Sequence, residues 1–536
     1  MGLVGTVCAD SVSLNDPQYN SGEFGVAPVQ AFASAPFQPP RVNILVAATE
    51  QASTNYTFLG YRGTAAAQPA PLILDNQGSL VWSGAEFGNS MDFKVQTLFG
   101  EPVLTFFNGS FYSGGYGYGH WEVLGQNYSS IRTVDGLNQT ADQTDFHEFV
   151  ITPNNTALVE SWRLLQTDLS SVNGPSDGWT WDCVFQEINL STNELMFEWR
   201  SLEHVPVEET YFSLSGDEGS SQENAWDYCH INSVDKDDLG NYIVSLRGPS
   251  TVYYIDGQSG EVMWRLGGKS TSFTMGDGSV FWYQHDARLR SDPSQSVFNV
   301  SLFDNAAGGD GDVEPTARAI MLELDTDTME ASLLWALLPS FNGTAPSQGD
   351  TQILSNGNVV VGWGAIPQYS EYNPNGDLIH DVRFAVNSSV QSYRAYKQAW
   401  QGYPLTKPSI AVNESAVAVS WNGATEVQAW ALLTGPSASN LSTMNVTNRT
   451  GFETLLSLTG SPPVVAAAAL ARNGTCLSVS NAYYAANSSD TREAPDCPQN
   501  IQLGAGGNGQ PQSGASTHTV RWLGSLVSLA AFVLLC

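Results

Sequence analysis

Three of the seven histidines stand in similar sequence surroundings, each after an acidic or aromatic cluster. They are His147 in DFHEFVIT, His230 in DYCHINSV and His285 in WYQHDARL. A neutral imidazole can attack an electrophile or exchange a proton near neutral pH, although a single histidine in a repeat protein more often has a structural role. Three histidines at matching points of a repeat predict a shared catalytic cluster.

Two further polar side chains follow His230 closely. Asn232 comes two residues later, and Arg247 ends the next apolar strand pattern. The Asp-Asp-Leu-Gly-Asn turn between them folds the chain back, so we expect Arg247 to lie beside His230 on the neighbouring strand. Imidazole, amide and guanidinium groups side by side are typical of a site that binds an oxyanion such as sulfate or phosphate.

A repeated phrase predicts the elements that position these residues. It consists of an apolar pair, a turn rich in Asp, Asn and Gly, and an apolar strand that often holds tryptophan. Its copies are LILDNQGSLVWSG, QEINLSTNELMFEWRS, YYIDGQSGEVMWRLGG, LELDTDTMEASLLWALLP and SEYNPNGDLIHDVRF, with YGHWEVLGQNYSSIRTV as a degenerate sixth. Each copy is typical of a β-hairpin with turn residues at its tip.

Six copies predict a six-bladed β-propeller over residues 21–404, an all-β fold in which four-stranded sheets surround a central channel. The starts of the innermost strands line one face of such a channel, which would bring the three histidines together. A stack of two-sheet sandwich domains is the alternative. The shared hairpin phrase favours the propeller.

The pattern changes beyond this region. Residues 405–486 show short alternating strands around Trp421, which we expect to be buried, and this is typical of a small C-terminal β-sandwich module. At the other end, residues 1–20 contain no basic residue and only a short apolar run, so we interpret them as an N-terminal segment with an incomplete or absent signal peptide.

The C-terminal residues predict a lipid anchor. Residues 487–519 are expected to form a linker with a GPI attachment region, cleaved between Asn508 and Ser513. Residues 520–536 then form the hydrophobic tail of the GPI signal. A simple tail anchor is the alternative.

Charge and glycosylation signals indicate the environment. The chain has 53 acidic and 21 basic residues, and its net charge of −32 argues against nucleic acid or an anionic membrane surface as a partner. Asn-x-Ser/Thr sequons occur at Asn55, Asn108, Asn127, Asn138, Asn154, Asn189, Asn299, Asn342, Asn387, Asn413, Asn440, Asn445, Asn448, Asn473 and Asn487. This density predicts an extracellular glycoprotein at the cell surface, attached to the plasma membrane only through its lipid anchor.

Few cysteines are present, namely Cys8, Cys183, Cys229, Cys476, Cys497 and Cys536. Cys183–Cys229 and Cys476–Cys497 are the candidate disulfides, but sequence alone leaves the pairing open. The cysteine spacing contains no pattern of metal ligands. Cys229 as a nucleophile is disfavoured because a secreted thiol is usually oxidised.

Several of these motifs occur together in one known family. HINSV with Arg247, the WRLGG phrase, QH at 284–285, FDN at 303–305, VGWG at 361–364 and SYRAYK at 392–397 resemble the arylsulfotransferase family, and the fungal-type, eukaryotic branch most. The resemblance covers roughly residues 20–404 and implies a propeller. It also implies PAPS-independent transfer of a sulfuryl group from a phenolic sulfate donor to a phenol acceptor, with no cofactor and no metal.

The same resemblance implies the roles of the candidate residues. His285 would be the nucleophile that is sulfated between two half-reactions of a ping-pong scheme. His230, Asn232 and Arg247 would bind the sulfate and assist the leaving group, and His147 would complete the cluster. Attack should weaken in acid as the nucleophile becomes protonated. Asp286 follows His285 directly and should face the opposite side of the strand, so we do not expect it to orient the imidazole.

Two other functions fit parts of the sequence. A non-catalytic cell-surface propeller could use the same channel to bind an anionic ligand or partner. A calcium-dependent hydrolase is suggested by the acidic, glycine-rich loop FDNAAGGDGDVE at 303–314, although its spacing departs from known calcium loops. Catalytic turnover would distinguish the transferase from the non-catalytic propeller. Loss of activity on chelation would favour the calcium-dependent hydrolase.

Overall fold

The computed structural model describes residues 12–112, 114–137, 144–308, 311–312, 315–485 and 497, and the regular secondary structure of these residues is nearly all β-strand. The helical elements are the short α-helices Pro17–Asn20 and Ser201–His204 and the 3₁₀ turns Ala85–Phe87, Ser170–Val172 and Val207–Glu209. No helix in the described ranges is long and apolar enough to cross a membrane. Outside the described residues lie Cys8, Asn138, Asn487, Asn508, Ser513, Cys536 and the predicted GPI tail 520–536.

Turn chemistry explains why the chain forms short hairpins. In the turn at 237–241, the Asp237 carboxylate accepts hydrogen bonds from the main-chain N–H groups of Leu239 and Asn241, both at 2.9 Å. Gly240 has a φ of +94°, which a residue without a Cβ adopts at little cost. The same side-chain arrangement recurs at Asp75 and Asn373, and Asp256 accepts from the N–H groups two and three residues on.

The hairpins combine into sheets of four to six strands, six of which span residues 13–398 in the described part of the chain. Sheet A consists of Ala395–Gln398, Tyr56–Tyr61, Ala70–Leu74 and Leu80–Ser83. Sheet B consists of Ser90–Leu98, Glu101–Phe111, Gly117–Leu124 and Ser130–Val134. Sheet C consists of Thr144–Ile151, Thr156–Thr167, Gly178–Asn189 and Leu195–Arg200.

The other three sheets follow in chain order. Sheet D consists of Ile231–Lys236, Tyr242–Leu246, Thr251–Ile255 and Val262–Gly267. Sheet E consists of His285–Leu289, Val297–Asp304, Arg318–Asp325, Glu330–Leu337 and the parallel edge strand Thr274–Met275. Sheet F consists of Asp350–Ile353, Val359–Gly362, Gln368–Tyr372, Leu378–Arg383, Asn43–Val46 and the parallel edge strand Ser13–Leu14. A two-stranded ribbon, Ala307–Gly308 with Gly311–Asp312, follows the second strand of sheet E.

The first strands of sheets A to F contact one another in succession, and the first strand of sheet F contacts that of sheet A. Both ends of this region are tied by strand pairing. Ala395–Gln398 pairs with Tyr56–Tyr61, and Asn43–Val46 pairs with Leu378–Arg383. This arrangement is consistent with a propeller-like fold, whereas the predicted count of six blades remains a prediction.

Buried charges connect the first strands. Arg394, which directly precedes the strand Ala395–Gln398 of sheet A, is fully buried and donates to Asp92 and Glu148 at 3.0 and 3.1 Å. Lys94 donates to the same two carboxylates at 2.6 and 3.0 Å. Burial alone would raise the pKa of Glu148, but Arg288 and Arg394 hold it below its usual range. Because a buried charge that loses its partner is strongly destabilising, this network keeps the strands beneath the histidines in one arrangement.

The chain ends in two further antiparallel sheets. One consists of Ser409–Val412, Ala416–Ser420 and Glu453–Ser457, and the other of Ala429–Ser437, Asn440–Asn448, Val464–Leu470, Cys476–Val479 and Tyr483–Tyr484. Val419 of the first sheet and Trp430 of the second belong to one apolar core. Trp421, predicted to be buried, is instead half-exposed and donates its indole N–H to the Thr406 carbonyl, while Trp430 fills the core. Cys476 and Cys497 form a disulfide.

Candidate functional site

Four of the predicted site residues line one cavity of about 220 Å³, namely His147, His230, His285 and Arg247. Among the described residues, the other lining residues are Arg62, Met91, Phe111, Tyr112, Gly114, Gly115, Phe146, Ser347, Gln348 and Tyr393. This described lining contains aromatic rings and two arginines but no carboxylate. A second cavity of about 380 Å³ shares Gly114, His230 and Arg247 with the first and is lined by Tyr116, Trp181, Phe212 and Trp226, with Asp227 and Glu218 on its polar side.

The histidines reach the cavity from neighbouring sheets. His285 begins its strand and His230 directly precedes Ile231–Lys236, as the matching positions predicted, whereas His147 is the fourth residue of Thr144–Ile151. The rings of His147 and His230 lie 5.0 Å apart between centroids. Convergence therefore depends on how adjacent sheets are placed.

His230 is fixed from three sides. Its main-chain carbonyl accepts a hydrogen bond from the N–H of Arg247 at 2.9 Å, which is the strand pairing that the turn predicted. Its Nδ1 lies 2.6 Å from the Asp227 carboxylate, and the disulfide between Cys183 and Cys229 anchors the residue before it. Burial lowers the pKa of His230 in spite of the Asp227 charge.

Arg247 presents a charge without an ion-pair partner among the described residues. Its guanidinium lies 5.2 Å from the ring centroid of Phe212 and 5.5 Å from that of Tyr283. One Nη donates to the Pro346 carbonyl at 3.0 Å, and the buried Nε has no hydrogen-bond partner. Burial lowers the pKa of Arg247, and an anion in the cavity would satisfy the free donor.

The surroundings of His285 determine its tautomer. Asn305 donates its Nδ2 to the Ala345 and Gln348 carbonyls, both at 3.0 Å, so its Oδ1 is the atom that faces His285 Nδ1 at 2.7 Å. An amide oxygen only accepts, so Nδ1 carries the hydrogen and Nε2 holds a lone pair. That lone pair accepts the main-chain N–H of Gln348 at 3.1 Å. Burial, together with the charge of Arg247, places the pKa of His285 well below its usual value, so the imidazole is neutral.

His147 is held by Asp145, whose carboxylate contacts both the main-chain N–H and Nδ1 of the histidine. The His147 ring stacks on Phe146 at 4.1 Å between centroids. Behind it lies Glu160, which is fully buried and has no hydrogen-bond partner for either carboxylate oxygen. Burial, and then the negative charges of Glu148 and Asp145, raise the pKa of Glu160 well above its usual value.

The sequence model of the arylsulfotransferase (ASST) family matches residues 94–385, more than half of the chain. These residues include all three cavity histidines and Arg247. The chain belongs to the arylsulfotransferase family.

Solved structures resemble this family member only distantly. A protein of unknown function from Bacteroides caccae is 11% identical with a TM-score of 0.36, over 64% of this chain and 98% of its own. One from Dyadobacter fermentans is 9% identical with a TM-score of 0.35, over 67% and 94%. The major allergen Mala s 1 of Malassezia sympodialis is 11% identical with a TM-score of 0.29, over 59% and 83%. A search of curated proteins finds no match.

The structure does not bring Asn232 to the cavity of this arylsulfotransferase-family protein. Asn232 is fully buried, and its Nδ2 donates to the Gln284 carbonyl at 2.7 Å. Its own carbonyl accepts from Arg394 at 2.9 Å. Asn232 therefore links the strand of His230 to the residue before His285 and is not among the described residues that line the cavity.

Sequence reasoning missed four residues of the site: Arg62, Asn305, Gln348 and Tyr393. Asn305 and Tyr393 lie inside motifs that carried the family resemblance, so the sequence marked these residues but did not indicate what they do. Arg62 and Gln348 lie in segments without any motif. As expected, Asp286 does not orient His285, since its carboxylate bonds to Arg288 and to the N–H of Thr351.

Metal-binding potential is limited to one place in the described ranges. Asp145, His147 and Glu160 have possible ligand atoms within 4.8 Å of one another, and the remaining such group contains Cys183 and Cys229, which are joined as a disulfide. The predicted calcium loop at 303–314 lies partly outside the described residues. In its described part, Asp304 is paired with Arg318 at 2.9 Å.

Proposed function

We propose that this protein is a PAPS-independent arylsulfotransferase that moves a sulfuryl group from a phenolic sulfate ester to a phenol through a sulfohistidine at His285. Family membership supports sulfuryl transfer and phenolic substrates in general. The observation that carries the specific mechanism is the neutral His285 with its Nε2 lone pair in a cavity whose described lining has arginines and no carboxylate.

In the first half-reaction, Nε2 of His285 attacks the sulfur, an N–S bond forms, and the S–O bond to the phenol breaks. The departing phenolate takes a proton from the imidazolium form of His230 or His147, which becomes neutral. Arg247 stabilises the negative charge that develops on the sulfuryl oxygens. Asn305 Oδ1 accepts the Nδ1 hydrogen throughout, which stabilises the positive charge that the sulfated imidazole acquires.

The second half-reaction runs in reverse with another phenol. The acceptor gives its proton to the histidine that protonated the first leaving group and attacks the sulfur, and the N–S bond to His285 breaks. Because the Gln348 N–H occupies the Nε2 lone pair at rest, a donor must displace this hydrogen bond before attack. Asn232, which the family resemblance places among the sulfate-binding residues, links the strand of His230 to the residue before His285 in this scheme.

The lining residues of the two cavities suit a single aromatic ring beside a sulfate. The smaller cavity, with His285 and both arginines, is the natural place for the sulfuryl group. The larger one is lined by Tyr116, Trp181, Phe212 and Trp226 and meets the first at His230 and Arg247. Aromatic side chains of this kind bind rings by stacked or edge-on contact.

We further propose that the fold is a six-bladed propeller of the fungal-type branch over residues 21–404, with a sandwich module at 405–486, displayed on the cell surface by a GPI anchor. All thirteen sequon asparagines in the described ranges are exposed or half-exposed, which allows glycosylation. Two disulfides suit an oxidising compartment. Release from cells by a phosphatidylinositol-specific phospholipase, and a mass decrease on deglycosylation, would test these points.

The central experiment combines turnover with intact mass. Purified protein is mixed with 4-nitrophenyl sulfate, with and without phenol, for wild type, His285→Asn and the control His204→Asn, which lies outside the cavity. We expect release of nitrophenolate that the acceptor stimulates, and a sulfuryl adduct on His285, in wild type and control only. Release by His285→Asn at the wild-type rate would contradict the mechanism. Saturable binding without turnover would favour the non-catalytic alternative, and loss of activity on chelation the calcium-dependent one.

A further inference from the structure

We propose that Arg62 is a second anion-binding residue of the cavity, which selects phenolic substrates that carry another negatively charged group besides the sulfate. The proposal rests on the transferase function above and deepens it, because it concerns the substrate class of the same site. Arg62 lies outside the matched family region of residues 94–385 and lines the cavity with Arg247 and His285.

The charge of Arg62 is not neutralised by the protein. One Nη donates to the side-chain oxygens of Gln348 and Gln391, at 3.3 and 3.0 Å, and both partners are uncharged amides. Its Nε is buried and has no hydrogen-bond partner. Burial lowers the pKa of Arg62 to about 10, so the side chain still carries its charge at neutral pH.

Arg62 and Arg247 are the two arginines among the described residues that line the cavity, in a chain whose net charge is −32. A buried charge is costly unless a partner compensates it, and here no ion pair to Arg62 is found within the described residues. Carboxylates are abundant in the sequence, yet none lines the described part of this cavity. An anionic ligand would supply the missing partner and the missing acceptor for Nε.

Arg62 and Arg247 form hydrogen bonds with the two ends of the segment 346–348. Arg247 donates to the Pro346 carbonyl, and Arg62 donates to the side chain of Gln348, two residues further on. Between them, the Gln348 N–H reaches Nε2 of His285. Arg247 also lines the larger, aromatic cavity, whereas Arg62 lines only the smaller one, so the two guanidiniums are held at different places.

Two guanidiniums at different places in one cavity suit two anionic groups on one small molecule. Arg247 is placed beside His230, at the junction with the aromatic-lined cavity, and suits the reacting sulfate. Arg62 does not line that larger cavity, and its guanidinium lies 5.8 Å from the ring centroid of Phe111. A phenyl ring with a sulfate and a carboxylate or second sulfate matches this pattern of charge and aromatic surface.

The test uses aryl sulfonates, which have no ester oxygen and so cannot be transferred. Benzenesulfonate, with one charge, is compared with benzene-1,3-disulfonate and benzene-1,4-disulfonate by calorimetric titration at constant ionic strength and pH 7. The proteins are wild type, Arg62→Gln, Arg62→Lys and the control Arg383→Gln. Arg383 also donates to neutral amides, those of Asn20 and Gln368, but does not line the cavity.

Wild type should bind one of the disulfonates at least about tenfold more tightly than benzenesulfonate, as expected for one added charge-assisted contact. Arg62→Gln should reduce this ratio to about threefold or less, Arg62→Lys should keep part of it, and Arg383→Gln should keep all of it. An unchanged ratio in Arg62→Gln, no preference in wild type, or no binding of any probe would overturn the assignment.

Sulfuryl transfer from 4-nitrophenyl sulfate is measured on the same wild-type sample. A preference for the disulfonate without any transfer would retain Arg62 as an anion site and remove the transferase function. Sulfuryl transfer without a preference for either disulfonate would retain the transferase function and remove Arg62 as a second anion site. Thermal unfolding of each variant shows whether it is folded under the conditions of the titration.

Discussion

The main-chain N–H of Gln348 points at Nε2 of His285 across 3.1 Å, and Gln348 holds this position with a φ of +68°. A non-glycine residue in the left-handed region is strained by roughly 1 kcal/mol or more, so the surrounding contacts must impose this conformation. The side chain of Gln348 is held by Arg62 and Gln391. In the resting structure, the lone pair of the proposed nucleophile, His285 Nε2, is therefore hydrogen-bonded to the N–H of a residue with a strained backbone conformation.

The buried, neutral state of His285 predicts an unusual pH profile. Since its pKa is depressed, the acid limb of kcat/KM should fall well below pH 6.5, the value of an unperturbed histidine. Initial rates with 4-nitrophenyl sulfate across pH 4–8 check this, and a midpoint at or above 6.5 would contradict it.

Asn305 should control the tautomer of His285. Asn305→Leu removes the acceptor for Nδ1–H, so kcat should fall by about 10²-fold, in the range seen when the group that orients a catalytic or metal-bound histidine is lost. Asn305→Asp places a negative charge at the same point and should shift the acid limb of the pH profile upward. The pH dependence of kcat is measured for both variants. If both have the same kcat and the same pH profile as wild type, then Asn305 has no influence on the imidazole of His285.

Glu160 should destabilise the fold at neutral pH. Its pKa is raised in the folded state, so its contribution to stability is present below the unfolded value near 4.3 and is lost as pH rises. Glu160→Gln should therefore raise Tm at pH 7.5 and change it little at pH 4.5. If a divalent cation stabilises wild type but not this variant, then Asp145, His147 and Glu160 bind a metal ion instead.

The Cys183–Cys229 disulfide should matter for both stability and activity. It joins residues 46 positions apart and anchors the residue before His230, so replacing both cysteines by serine should cost about 2–4 kcal/mol and lower kcat. The matched control replaces Cys476 and Cys497, whose disulfide lies in the C-terminal sheets. Denaturant unfolding measures the stability of each variant, and initial rates measure its activity. An equal loss of activity in both variants would argue against a local effect at His230.

Local sequence patterns were sufficient for the hairpins. Turns such as that at Asp237 form through contacts within five residues, so their residues can be recognised in the chain. The pairing of Arg247 with His230 followed from the same turn, and the structure confirms it. The cysteine pairing and the burial of Trp430 in place of Trp421 depended on contacts between segments, which no local pattern specifies.

The sequence alone determined the all-β class, the arylsulfotransferase family, and the histidines and arginine that the structure gathers around one cavity. The fold class follows from residue type and spacing within single hairpins, and the family follows from the order of several motifs along the chain. Only the tertiary structure decided that Asn232 is not among the described residues that line the cavity, that Asn305 sets the tautomer of His285, and that Arg62 adds a second unpaired charge. The physical reason is that these contacts join residues 20 or more positions apart, and side-chain direction across a sheet interface is set by packing and not by local sequence.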